Sequence, residues 1–263
     1  MLINKSKIEI IEQFIYILEI LSSYAKEGSD EKAVIKIMLD YLEKGQLLDE
    51  DVLPIAMKIS EIAKKVGSYD MKREINLLLF GEKKKRLTKA QKNKIKKIIE
   101  ILEYLKGYIE KKPYKSYEDI HILNLIGLKI LRLDEGIVID YKAEVRSLTN
   151  IALRIGSYEL KSEIELLLTG RKRRKLTEEF LEKRLLIIKI LEMIKDFIDK
   201  KEFKSPFDYE AIFLINLKIH RIEEGILKNY DEEVESLLGI ARKVGNHQLR
   251  DQIVLLKESI KEK

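Results

Sequence analysis

Apolar side chains recur every three to four residues along the chain, and no stretch of useful length alternates with period two. In one segment near the middle the apolar positions are Ile95, Ile98, Ile99, Leu102, Leu105 and Ile109. This i, i+3, i+4, i+7 spacing places apolar groups along one face of an amphipathic helix. The pattern therefore predicts an all-α protein without strands.

The sequence contains an internal repeat with a period of 89 residues. The segments IAKKVGSY, IALRIGSY and IARKVGNH hold Gly67, Gly156 and Gly245, which lie 89 residues apart. The second and third copies align without a gap, whereas the first aligns only with small shifts. Such drift is typical of a terminal repeat, since one side of it faces solvent.

Each copy has the pattern of four helices, so we expect about twelve helices in three tandem repeats. We place the repeats at residues 1–87, 88–176 and 177–263. A repeat of this kind cannot bury its apolar faces alone, so we expect the repeats to stack into a solenoid-like or elongated body. Three near-independent bundles are the alternative.

Local signals mark the ends of several helices. We predict N-caps at Thr88, Ser116 and Ser205. Gln91 stands three residues after Thr88, which is a capping-box pattern, and Pro206 follows Ser205 at the favoured first helical position. Gly136 and Gly225 are predicted to end the second helix of their repeats.

Charge is unevenly distributed among the repeats. Charged residues make up 37% of the chain, and the net charge is 0 for residues 1–87, +8 for 88–176 and −2 for 177–263. The excess lies in two cationic runs at the repeat joints, each preceded by a glycine (Gly81 and Gly170). The first run comprises Lys83, Lys84, Lys85, Arg86, Lys89, Lys92, Lys94, Lys96 and Lys97. The second comprises Arg171, Lys172, Arg173, Arg174 and Lys175.

The first run is unfavourable for helix stability, because Lys89 and Lys92 would lie in the opening turn of a helix, where the end of the helix dipole is already positive. The third repeat instead has Glu178 and Glu179 there. Clustered cations beside free helix N–H groups favour phosphate, so we expect a binding protein that grips the backbone of DNA or RNA. Solvated turns would explain the same lysines.

The leading alternative is a helical-repeat scaffold for an acidic or amphipathic protein partner. This hypothesis uses the same basic joints, or an apolar groove between repeats. The sequence also leaves a homo-oligomer open. We expect no enzymatic activity, no cofactor and no metal, because no catalytic motif occurs and His121, His220 and His247 do not share a helical face.

Arg242 and His247 form an R-x4-H spacing in the segment RKVGNH. This spacing resembles the short motif of HEPN-type ribonucleases, which are also helical. The resemblance covers six residues and implies that the arginine and the histidine act together on an RNA phosphate. A ribonuclease is therefore a third, remote hypothesis.

Aromatic residues recur at equivalent places in the repeats. Tyr69, Tyr158 and His247 recur at the corner, and Tyr24, Tyr108 and Phe197 recur in the first helix of each repeat. Such rings could stack on single-stranded bases. Because they recur with the architecture, we expect both sets to pack in the core or at a seam.

Composition limits the remaining classes of protein. Cysteine is absent, which excludes a disulfide framework and thiolate chemistry. No uncharged stretch approaches the roughly 20 residues that a membrane helix needs, so we expect a cytoplasmic protein without a membrane partner. Abundant Lys, Glu and Ile with few labile residues are typical of a thermophile, although a low-GC mesophile would share the bias.

Overall fold

The computed structural model describes residues 6–45, 47–82, 87–156, 158–170, 177–226, 228–245 and 247–261. Within these ranges the chain forms α-helices and no strand, so the all-α prediction is confirmed. The helices are α1 (Lys7–Tyr24), α2 (Asp30–Glu43), α3 (Val52–Val66), α4 (Tyr69–Phe80), α5 (Lys89–Glu110), α6 (Tyr117–Asp134), α7 (Tyr141–Ile155), α8 (Tyr158–Thr169), α9 (Glu178–Asp199), α10 (Pro206–Glu223), α11 (Tyr230–Lys243) and α12 (His247–Lys261). A short 3-10 helix, Asp49–Asp51, precedes α3.

The chain divides into two compact units, and the first consists of Met1–Ile99 and Ile120–Glu144. In this unit α1 packs against α2 and α3, and α3 packs against α4. Phe14 and Ile75 are fully buried in its core, which Leu128 of α6 also enters. The apolar stripes that define these helices in the sequence are therefore the faces that they bury.

The second unit consists of Glu100–Asp119 and Val145–Lys263. Here α10 packs against α8 and α9, and α11 packs against α9 and α12. Leu191, Ile215 and Ala241 are fully buried in its core. The three repeat boundaries drawn from the sequence, and the stacking of the repeats, stay predictions.

The predicted helix caps are confirmed. The Thr88 hydroxyl accepts a hydrogen bond from the Gln91 amide at 3.2 Å, and the Gln91 side chain accepts one from the Thr88 amide at 2.9 Å. Ser205 forms the equivalent reciprocal pair with Asp208, and Pro206 is the first residue of α10. These bonds satisfy amide groups that have no partner within the helix.

Gly136 and Gly225 end α6 and α10 with φ angles of 74° and 76°. Side chains rarely adopt this left-handed region, which is why glycine stands at both C′ positions. The next amide, at Ile137 or Ile226, donates back to the carbonyl of Arg132 or Arg221 at 3.1 Å.

Close packing fixes two other glycines, each directly after a helix. A Cβ atom on Gly81 would lie 2.8 Å from Cγ2 of Ile137, and one on Gly170 would lie 2.5 Å from Cγ2 of Ile226. Each would also meet the carbonyl oxygen four residues earlier, at Leu77 or Leu166. The chain can leave α4 and α8 along these paths only because no side chain is present.

Candidate nucleic-acid interface

The opening turns of α5 carry an exposed group of lysines. Helix α5 begins at Lys89, directly after the Thr88 cap, as the sequence predicted. Lys89, Lys92, Lys94 and Lys96 are all exposed, whereas Lys97 is half-buried. We call Lys89, Lys92, Lys94 and Lys96 the α5 lysine group.

No acidic side chain lies in the first turn of α5. The positive end of the helix dipole therefore adds to the charge of Lys89 and Lys92 instead of being compensated. The Lys94 ammonium lies 4.8 Å from the centroid of the Tyr141 ring, a cation–π distance.

The rest of the predicted interface lies outside the described residues. Lys83, Lys84, Lys85 and Arg86 precede the α5 lysine group in the sequence, and the whole second run, Arg171 to Lys175, is likewise outside.

A surface cavity of about 400 Å³ lies along α4. It is lined by Tyr69, Lys72, Arg73, Asn76, Leu77, Phe80 and Gly81. Tyr69 is 78% exposed and Phe80 is 43% exposed, so both rings face solvent. The Asn76 side-chain oxygen accepts a hydrogen bond of 2.6 Å from the Ser60 hydroxyl, which fixes the amide group. We call Tyr69, Lys72, Arg73, Asn76 and Phe80 the α4 face.

The prediction that the corner tyrosines pack is wrong, since Tyr69 is 78% exposed and Tyr158 is 73% exposed. Each is the first residue of its helix, α4 or α8. The prediction for the first-helix set is confirmed: Tyr108 is buried, and Tyr24 and Phe197 pack against the two cores.

A buried ionic tetrad ties α4 to α6 and α7 in the first unit. It consists of Glu74, Lys129, Arg132 and Glu144, and no member's side chain is more than 5% exposed. Lys129 Nζ lies 2.8 Å from Glu74 Oε1, and Arg132 bridges the two acids, with Nε 2.6 Å from Glu74 and Nη2 2.7 Å from Glu144. Its Nη1 also donates to the carbonyl of Ile137.

The same tetrad recurs 89 residues later in the second unit, formed by Glu163, Lys218, Arg221 and Glu233. The geometry is repeated: Lys218 Nζ lies 2.8 Å from Glu163 Oε1, and Arg221 Nε lies 2.7 Å from Glu163 Oε2. Lys228 adds a further ion pair to Glu163 at 2.8 Å. Each tetrad holds two acids and two bases, so its net charge is zero.

Electrostatics favour the ionised form of two of the tetrad acids, Glu163 and Glu144. Burial by itself raises the pKa of Glu163, but the charges of Lys218 and Arg221 outweigh it and lower the pKa to about 2. The pKa of Glu144 is also lowered, because the hydrogen bond from Arg132 and the nearby Lys129 charge outweigh the effect of burial.

A second ionic motif recurs at the N-caps of α6 and α10. Lys112 Nζ lies 2.7 Å from Asp119 and donates to the carbonyl of Ile155, while Lys201 lies 2.6 Å from Asp208 and donates to the carbonyl of Val244. Burial raises the pKa of both aspartates, yet the lysine and the N-cap serine hydrogen bonds lower it overall.

Neither ionic motif was predicted from the sequence. In a helical pattern, single charged residues between apolar ones resemble solvent-facing positions. The internal repeat does indicate the tetrads, because the Glu, Lys, Arg and Glu of the first tetrad each have an identical residue 89 positions later in the sequence.

The histidines are placed as follows. His121 is buried, with Nε2 3.1 Å from the Ser68 hydroxyl and Nδ1 3.2 Å from the Tyr24 hydroxyl. Arg242 is exposed in the last turn of α11, and His247 is exposed at the first position of α12. Among the described residues, no group of three or more histidine, aspartate or glutamate side chains is arranged to hold a metal ion.

None of the helices in the described ranges combines the length and the apolar character needed to cross a membrane.

No family model and no solved structure matches the chain. A relative from Methanocaldococcus jannaschii, described as the uncharacterized protein MJ0602, is 84% identical over 261 residues. The match covers 99% of this chain and 100% of the relative. By this similarity, the chain belongs to the same protein family as MJ0602.

Proposed function

We propose that this protein is a non-enzymatic binding protein that grips the phosphate backbone of nucleic acid through the α5 lysine group and the two cationic runs at the repeat joints of the sequence. The supporting observation is that Lys89, Lys92, Lys94 and Lys96 are exposed in the opening turns of α5. This helix start is capped, and its first turn contains no acidic residue. Between Lys83 and Lys97 there are nine cations and no acid.

The physical driving force is the release of counterions from the backbone. Each phosphate neutralised by a lysine releases condensed cations, so affinity falls steeply with salt. The α5 helix start adds its positive dipole end to the same surface. Because lysine supplies a point charge rather than a bidentate fork, this contact carries little base-sequence information.

The test is a fluorescence anisotropy titration of labelled duplex DNA, single-stranded DNA and RNA at about 50 and 200 mM salt. We expect wild type to bind at the lower salt and to weaken steeply at the higher. The variant Lys89→Gln/Lys92→Gln/Lys94→Gln/Lys96→Gln removes four positive charges. It is expected to reduce the slope of log affinity against log salt by about three to four.

The matched control changes four exposed lysines elsewhere, Lys36, Lys64, Lys111 and Lys189, to glutamine. It has the same net charge as the test variant, so equal loss in both would mean that only total charge matters. Absence of binding by wild type at about 50 mM salt would reject the proposal. A third variant, with Lys83, Lys84, Lys85 and Arg86 changed to glutamine, measures the contribution of the adjoining run.

A protein-interaction scaffold is the second candidate, and exposed apolar side chains favour it. Leu53 and Met57, one turn apart on α3, are both more than half exposed, as is Ile37 of α2. An amphipathic partner helix could cover such side chains. A poly-glutamate peptide in the same titration tests the acidic-partner version: binding as tight as that of RNA, with the same loss in the lysine variant, would favour it over nucleic acid.

A further inference from the structure

The α4 face combines rings, cations and an amide along one side of a single helix. Its residues stand at positions i, i+3, i+4, i+7 and i+11, counted from Tyr69, which is the spacing of one helical stripe. With a rise of 1.5 Å per residue, Tyr69 and Phe80 are separated by about 16 Å along the axis. Both rings line the same cavity.

The cations of the α4 face lie between its two rings. Arg73 is exposed and Lys72 is half-buried. Within the described ranges, no carboxylate forms an ion pair with either side chain. Two rings that face solvent with two cations between them suit a ligand that is anionic along its length and has flat apolar faces.

The α4 face is followed in the sequence by the first cationic run. Its last lining residue, Gly81, ends α4, and the run that starts at Lys83 follows two residues later.

We propose that the α4 face is a base-stacking site and that the nucleic acid bound by this protein is single-stranded. This inference rests on the proposed function and specifies its ligand. The rings of Tyr69 and Phe80 stack on unpaired bases, while Lys72 and Arg73 contact the backbone phosphates between them. In a duplex the base faces are already stacked on one another, so a duplex can use only the cations.

The repeat supplies a natural comparison on α8. Tyr158 and Lys161 stand where Tyr69 and Lys72 stand in α4, and the Lys161 ammonium lies 5.7 Å from the centroid of the Tyr158 ring. The remaining positions differ: Ser162, Glu165 and Thr169 replace the arginine, the asparagine and the phenylalanine. The α8 surface thus has one ring, an added acid and no second ring, so it does not form an equivalent site.

The experiment measures anisotropy with a labelled single-stranded oligonucleotide, as DNA and as RNA, and with the matching duplex at about 50 mM salt. We expect wild type to bind the single strand more tightly than the duplex. The variant Tyr69→Ala/Phe80→Ala is expected to weaken single-strand binding at least about tenfold and to leave duplex binding within about twofold. The DNA and RNA arms show which sugar is preferred.

Two controls separate stacking from loss of structure. Tyr69→Phe/Phe80→Tyr keeps both rings and is expected to bind like wild type, whereas Tyr158→Ala removes an equally exposed ring from α8 and is expected to change nothing. Equal single-strand affinity in the double alanine variant and wild type would overturn the stacking site. So would a wild-type preference for duplex.

These results are distinct from failure of the proposed function. If wild type binds no nucleic acid, both proposals fall. If it binds with the salt slope of the α5 lysine group but ignores the ring substitutions, only the single-strand inference falls.

Discussion

Arg221 Nε lies 2.7 Å from Glu163 Oε2, and both side chains are withdrawn from solvent between α8 and α10. Removing one charge would leave the others buried without full compensation. We expect Glu163→Gln to lower the free energy of unfolding by about 3–5 kcal/mol, measured by guanidinium denaturation at pH 7.

Glu159→Gln is the matched control in the same helix. Its carboxylate pairs with Lys243 at 2.7 Å, but both side chains are about half exposed. Solvent screens such pairs, so we expect a loss of no more than about 1 kcal/mol. A loss for Glu163→Gln as small as that for Glu159→Gln would contradict the importance assigned to the tetrad.

Stability should fall in acid over a defined window. The folded pKa of Glu163 is about 2, against an ordinary value of 4.5, so the folded state binds this proton less readily than the unfolded state. The contribution is therefore complete above about pH 4.5 and is lost as the pH falls toward 2. It amounts to about 3 kcal/mol. Glu144, Asp119 and Asp208 act in the same direction, since the pKa of each is lowered.

The measurement is a series of denaturation curves between pH 7 and pH 2. The stability difference between wild type and Glu163→Gln should shrink below pH 4.5, because protonation removes from wild type the charge that the variant already lacks. A difference that stays constant with pH would show that Glu163 acts by packing alone.

Replacing glycine by alanine should change the stability of the protein in opposite directions at two kinds of site. Gly81→Ala and Gly170→Ala place a Cβ against a backbone carbonyl and the side chain of Ile137 or Ile226, so both should lower the melting temperature. Gly107→Ala and Gly239→Ala lie inside α5 and α11, where no atom other than the adjoining backbone of the same helix and the two neighbouring residues lies within 4 Å of the new Cβ. These should stabilise by about 0.5–1 kcal/mol. The measurement is the melting temperature of each of the four variants. A change in the same direction at both kinds of site would contradict the packing described for Gly81 and Gly170.

The start of α5 should be more stable with acids than with lysines. Lys89→Glu/Ala90→Glu copies the residues that the third repeat has at this place. It should stabilise the helix by about 0.3–1 kcal/mol for each favourable charge at low salt and should weaken nucleic-acid binding. Lys189→Glu, on the exposed side of α9, is the control and should change neither property. Unchanged binding in the first variant would show that the opening turn of α5 takes no part.

The helices, their caps and their terminal glycines could be predicted because each depends on neighbours in sequence. The Thr88 and Gln91 pair and the φ angle of 74° at Gly136 are such local features. The ion pairs of the tetrads join residues 12 to 58 positions apart, and a buried Arg132 has the same local pattern as an exposed arginine. The orientation of Tyr69 likewise depends on where the first turn of α4 leaves the core. Recurrence in the repeat does not reveal this.

The tetrads also determine the order in which parts of the chain can finish folding during synthesis. Glu74 emerges from the ribosome in α4, but Lys129 and Arg132 follow only 55 and 58 residues later, and Glu144 follows after them. Until then Glu74 must stay hydrated, since burying an unpaired carboxylate is too costly. Residues 1–80 therefore cannot reach their final packing around α4 ahead of α6. In the same way, Glu163 must stay hydrated until Lys218 and Arg221 have been synthesised. The ion pairs that Glu74 and Glu163 form with these bases each close a loop of more than fifty residues. One segment therefore cannot finish folding until the next has been translated.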